Sequence, residues 1–229
     1  MKACKHVLGI LAVAIGLVAA SPARAADDSH ESLRELTAQW WQWAMSIPAA
    51  VNPLADTTGA YCMVGQRGPV WFLAGSITGQ PVVRTCTIPE GVALFFPVFN
   101  VFTFNSPGCG QGPADLSVAE ARAGLAPLID AATSLSVLLD NRPVGMRRVR
   151  SEVFPTVLPP ADLFSVTFGI NCLVPGQVYS PSVDDGYYVK LRALPVGQHH
   201  LSIRGTNGAF SVDAFYTLNV VKTVLRDPR

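Results

Sequence analysis

The chain has 229 residues, 49% of them hydrophobic and only 14% charged, with 17 basic against 16 acidic side chains. That near-balance excludes nucleic acid or an anionic membrane as the natural partner, since either needs a strong basic excess. Glycine (19) and proline (18) are too frequent for a bundle of long charged helices and suit a loop-rich β protein.

Lys2 and Lys5 precede an apolar run, Val7 to Ala20, and Ala23-Arg24-Ala25 follows with small residues around a cleavage point. Charge, short apolar core and A-x-A site in that order predict a signal peptide over residues 1–25. The run is shorter than the roughly 20 residues a membrane span requires. Cys4 lies before it, so it cannot become a lipidated mature N-terminus. The mature chain is expected to begin near Ala26, in the periplasm or the medium, with no transmembrane segment after cleavage. Without Lys2, Lys5 and Arg24, 14 basic residues face 16 acidic ones, a formal charge of −2. Residues 26–229 suit a single domain, and no internal repeat of 20–50 residues is visible.

Residues 29–46 read as a helix capped by Ser29 or Ser32, with Leu33, Leu36, Trp40, Trp43 and Ile47 recurring at three- and four-residue spacing. Pro48 and Pro53 end it. Trp40 and Trp43 share the apolar stripe and anchor the helix on a sheet. Trp41 lies about 100° away and is expected to be exposed, available to a sugar ring or a partner.

From Val70 the pattern becomes short strands between glycines and prolines. Val70–Gly75 and Val82–Ile88 read as strands. Val92–Phe96 is apolar without alternation and reads as a strand covered on both faces. Pro97 marks a bulge or a strand end. Asn105–Pro113, with three glycines around Cys109, is a loop in need of a cross-link. Val118–Thr133 reads as a helix opened by a Ser117–Glu120 capping box and weakened by Gly124 and Pro127. Leu135–Leu139 returns to strand and Asp140–Pro143 turns. Arg142, Arg147, Arg148 and Arg150 form the one local basic cluster, read as an exposed strand and turn.

Segments 144–158 and 163–170 are expected to be strands, the second alternating Phe164, Val166, Phe168 and Ile170. Asp184-Asp185-Gly186 reads as a turn. Tyr187, Val189, Leu191 and Ala193 then share one strand face, with Tyr188, Lys190 and Arg192 opposite. Leu194–Gly197 reads as a type I turn leading to a return strand with His199, Leu201 and Ile203 on one face. A last strand puts Val212, Ala214, Tyr216, Leu218 and Val220 inward. The three together predict an antiparallel sandwich edge. The fold expected is mainly β: an antiparallel β-sandwich, jelly-roll-like or Ig-like, with an N-terminal helix and one helical insertion.

The segments WWQWAMSIP, GPVWFLAG, RTCTIPEGVALFFPVFN, DDGYYVKLRALPVGQHHLSIRG and FSVDAFYTLNV resemble those of an uncharacterised group of secreted bacterial proteins with WWxW and LPxGxHxLxIxG-like segments. The resemblance implies an exported, β-rich product and one continuous domain. It brings no activity and no functional residue.

Cys62, Cys86, Cys109 and Cys172 stand 24, 23 and 63 positions apart, without a C-x-x-C pair. A structural zinc site needs close ligand pairs, so two disulfides are expected and no metal or other cofactor. Of three possible pairings, Cys62–Cys86 with Cys109–Cys172 is preferred because it staples the loop before the first strand and the glycine-rich loop. Ser76 in Gly75-Ser76-Ile77-Thr78-Gly79 is not placed as a nucleophile-elbow serine, and no H-E-x-x-H, P-loop or dinucleotide fingerprint is present. His199 and His200 point to opposite strand faces and cannot chelate one ion; His199 reads as a hydrogen-bonded core histidine and His200 as surface.

Glycan hydrolysis would need two carboxylates about 5 to 10 Å apart, with Glu90, Asp56, Asp184 and Asp185 as candidates by type. Each also has a plain turn or cap role. The leading functional expectation is a non-enzymatic binding or interaction protein whose partner is a glycan or another envelope protein, contacted through Trp41, Tyr188 and Phe215. A secreted carboxylate-dependent glycan hydrolase and a structural envelope or matrix component are the alternatives.

Overall fold

The structure, a computed structural model, describes residues 32–222. The expected signal peptide, Ser29 and His30 lie outside the described residues. Helix α1 spans Leu33–Met45 and is opened by Ser32, whose hydroxyl accepts from the Glu35 N–H while the Glu35 carboxylate accepts from the Ser32 N–H. That reciprocal pairing satisfies two amides the helix cannot satisfy itself. Strands β1 (Val70–Phe72) and β2 (Val82–Pro89) follow, then β3 (Ala93–Phe104). Pro97 makes a bulge and does not end β3: the register slips between Pro97 and Phe99 and the strand runs on. Helix α2 (Val118–Asp130) carries the Ser117–Glu120 capping box and tolerates Pro127. Strands β4 (Thr133–Leu139) and β5 (Arg142–Pro143) form a hairpin across Asp140 and Asn141, both with positive φ. Strands β6 (Arg147–Arg150) and β7 (Phe154–Val157), helix α3 (Leu163–Phe168), and strands β8 (Val178–Leu191), β9 (Gly197–Thr206) and β10 (Ser211–Val221) complete the order.

Two five-stranded sheets result, β1-β3-β8-β6 with β7 also on β8, and β2-β10-β9-β4-β5. The class is mainly β and the architecture a sandwich, as expected. The pairings are antiparallel except β1 with β3 and β2 with β10. Between the sheets lie Phe96, Val98, Phe99, Val189, Leu201, Ile203 and Leu218. The first sheet has a second cover: α1 lays Leu36, Trp40 and Trp43 over Phe95 and Tyr188 on its other face. Both expected disulfides form, with Cα–Cα distances of 5.8 Å for Cys62–Cys86 and 5.5 Å for Cys109–Cys172. Such bonds belong to oxidising compartments and point to a non-cytoplasmic protein. No described helix is long and apolar enough to cross a membrane.

Three expectations are corrected. Residues 163–170 are not a strand: Asp162 accepts from the Phe164 and Ser165 amides, and Gly169 closes the helix with φ 69. Asp184-Asp185-Gly186 is not a turn but the middle of β8. Gly186 is there because β3 lies too close for a side chain; a Cβ would come within 2.5 Å of Asn100 Cβ. The strands on either side of Leu194–Gly197 do not pair: β8 is in one sheet and β9 in the other, so the segment crosses between layers.

Candidate functional site

An apolar cleft of about 280 Å³ opens where α1, the Gly75–Ile77 loop, the second half of β3, α3 and the β9–β10 connection converge. Trp40 and Trp41 come from α1, Phe99 and Phe102 from β3, Phe164 and Phe168 from α3, and Phe210 from the connection. None of its lining residues carries a charge, and the polar side chains among them are Ser76, Asn100 and Asn207. One wall is an aromatic stack. Trp41 lies on Phe102 with centroids 3.9 Å apart and planes 23° from parallel, and Phe102 in turn meets Phe164 at 6.1 Å.

The wall is held from behind by a buried carboxyl. Asp184 is fully buried, and its Oδ2 accepts from Trp41 Nε1 (2.7 Å) and from the Tyr188 hydroxyl (2.6 Å). Asn100 Nδ2 donates to that same hydroxyl at 2.9 Å, so a chain of hydrogen bonds runs from the cleft lining to Asp184. The other oxygen, Oδ1, has no hydrogen-bond partner among the described residues; the nearby Thr37 hydroxyl donates to the Arg34 carbonyl. Loss of solvent raises the Asp184 pKa from 3.8 to about 7, against the opposing pull of the Tyr188 and Trp41 hydrogen bonds, and the Asp185 charge adds to the rise. Burial and the neighbouring Asp184 also raise Tyr188 well above its ordinary value, so Tyr188 keeps its proton and donates. Asp184 does not line the cleft. Its contribution is to fix the edge of Trp41 so that the face of the ring meets Phe102.

Two of the three aromatic residues expected on one exposed platform meet here, but they are buried. Trp41 is 7% exposed and Tyr188 2%, both turned toward Asp184. Tyr188 is buried because α1 covers the second face of its sheet as well; Trp41, on α1 itself, is buried because its side of the helix also meets the sheet, through Phe102 and Asp184. Trp41 still lines the cleft; Tyr188 reaches it only through Asn100. Phe215 is elsewhere, half-buried on the outer face of the second sheet beneath the Arg204 guanidinium, which sits 5.0 Å from its ring centroid.

The candidate carboxylates do not converge. Asp184 and Asp185, adjacent on β8, point to opposite faces. Asp185 is taken by Arg148 (2.8 Å) and Arg150 (3.2 Å). The Asp185 hydrogen bond also pushes the Arg148 pKa up. Asp56 is buried, which alone would raise it, but amide hydrogen bonds from Tyr61 and Thr58 outweigh this and hold it below the usual range. Glu90 is an exposed turn residue. His199 is half-buried with Nδ1 on Asp140 (2.8 Å) and Nε2 on the Pro195 carbonyl (3.0 Å), while His200 is exposed. In the basic cluster Arg142, Arg147 and Arg150 are exposed, as expected, and Arg148 is held in the ion pairs with Asp185 and Asp130.

Comparison of the chain with family models, curated proteins and solved structures finds no match. The cleft therefore rests on its own geometry. Asn100, Phe102 and Phe210 were not singled out by sequence reasoning. Two signals were available: the even-numbered run Asn100, Phe102, Phe104 on one strand face, and the i, i+4 placement of Asp184 and Tyr188 on another.

Proposed function

We propose that this is a non-enzymatic binding protein that acts outside the cytoplasm and takes an uncharged, mainly apolar ligand in the aromatic cleft. The observation that carries this reading is the lining itself: stacked aromatic rings, no ionisable side chain, and few polar groups, among them the Asn100 amide anchored to a buried network. Apolar concave sites with a few fixed polar groups bind small ligands or anchor side chains of a partner. Few lining side chains besides Ser76, Asn100 and Asn207 could bond the hydroxyls that surround a sugar ring, which favours a mainly apolar ligand over the glycan expected from sequence. The hydrolase alternative draws no support from carboxylates that point to different faces.

Titration with an uncharged fluorescent probe such as N-phenyl-1-naphthylamine tests the reading. Saturable binding with a change in tryptophan emission is expected, weakened about tenfold or more by Phe102→Ala and left unchanged by Phe215→Ala. Absence of saturable binding, or equal loss in the two variants, would remove the cleft from consideration.

A further inference from the structure

The cleft runs along a strand edge. β1 pairs with β3 only from Ala93 to Phe95, and past that point no described strand lies beside β3 on the side away from β8. Two hydrogen bonds fix which backbone groups face that open side. The Asn105 N–H donates to the Pro181 carbonyl of the facing chain at 2.9 Å, so Phe99, Val101 and Thr103 share its phase and point toward β8. The Ser151 N–H donates to the Asp184 carbonyl at 3.1 Å, so Asp184 points away from β3, and its register partner Phe102 does the same in the opposite direction. The N–H and C=O groups of Asn100, Phe102 and Phe104 therefore face the open edge, and no described residue hydrogen-bonds them there. Asn100 and Phe102 line the cleft.

We infer that the cleft's natural occupant is an extended, uncharged segment of a partner polypeptide that adds to β3 as a further strand; this rests on the cleft-binding reading above. An apolar molecule without hydrogen-bonding groups would cover the edge and leave its donors and acceptors unpaired, which is costly. These groups recur at every second residue, about 7 Å apart, the spacing only an extended backbone matches along its length. Free edges in proteins are usually blunted by lysine, by proline or by a bulge within the exposed run. Here Phe99–Phe104 carries no charge, and the proline and bulge sit at its start, where β1 ends. Pro97 faces the same edge and has no N–H to leave unpaired. The uncharged lining selects apolar side chains at alternate positions of the incoming strand.

The experiment uses the mature protein and an acetylated, amidated hexapeptide of alternating valine and threonine, followed by calorimetry and tryptophan emission. Saturable binding is expected. N-methylation of one alternate set of peptide amides should weaken it about tenfold or more, and methylation of the other set should change it less than about threefold. Equal effects of the two sets would overturn strand addition. If the naphthylamine probe binds and no peptide does, strand addition fails while the apolar cleft stands; if neither binds, the cleft reading fails with it. A dimer that the peptide cannot dissociate would assign the edge to a second copy of the chain and likewise overturn the proposal.

Discussion

Ala93–Phe96 and Asn100–Phe104 belong to one strand and neither carries a charge, yet their surroundings are unlike. In the first stretch Ala93 donates to Pro69 O and Phe95 accepts from Leu73 N on one side, β8 pairs on the other, and Leu94, Phe95 and Phe96 are fully buried between α1 and the second sheet. In the second stretch β8 still pairs, but β1 has ended, and Val101 through Phe104 are only half-buried. Apolar character alone does not mark the site. What marks it is the point where strand pairing stops while the apolar pattern continues.

The largest expected effect tests the enclosed stretch. Phe95→Ala should cost about 3–5 kcal/mol in urea unfolding, since removing a fully buried ring leaves a cavity, whereas Phe102→Ala at the half-open stretch should cost under about 2 kcal/mol. Equal costs would erase the distinction.

Next is the carboxyl opposite Phe102. Because folding raises the Asp184 pKa from 3.8 to about 7, the folded chain holds a proton that the unfolded chain has released between those values. Its stabilising contribution is complete below about pH 4 and is lost as the pH rises to about 7, on the order of a few kcal/mol across the window. Urea unfolding at intervals from pH 4.5 to 7.5 should show that slope in the wild type and a much shallower one in Asp184→Asn. Parallel slopes would mean that Asp184 does not titrate there.

Gly186→Ala is expected to cost about 1–3 kcal/mol, because the added Cβ meets Asn100 backbone and side chain on β3. It should weaken probe binding in the cleft as well, since it displaces the open stretch and leaves the enclosed one in place. Binding unchanged beside a full loss of stability would separate Gly186 from the cleft.

Much of the frame was legible in advance. Ser32 and the Leu36, Trp40, Trp43 stripe marked α1, the Ser117–Glu120 box marked α2, flanking glycines and prolines marked β2, and alternation marked β9 and β10, because each of these depends on neighbours in sequence. Both disulfides were legible from spacing and loop placement. The failures share a cause in tertiary contact. Asp184-Asp185-Gly186 has the composition of a turn, and only the approach of Asn100 explains the glycine in a strand. Phe164 and Phe168 fit a period of two and also i, i+4, and the Asp162 cap with Gly169 decides for the helix. A second covering layer cannot be read from one strand's alternation, which hides the burial of Tyr188, and Trp41 has its partners, Phe102 and Asp184, on strands far along the chain. The cleft itself depends on where β1 ends beside β3, a fact about two segments more than twenty residues apart.

The most direct measurement is residue-by-residue amide exchange along β3 in the unliganded protein. Pairing to β8 should protect Val101 and Thr103, while Asn100, Phe102 and Phe104, facing the open edge, should exchange at least about tenfold faster. Slow exchange at all five amides would mean that the edge is already paired, and the account of the cleft as an open strand edge would be wrong.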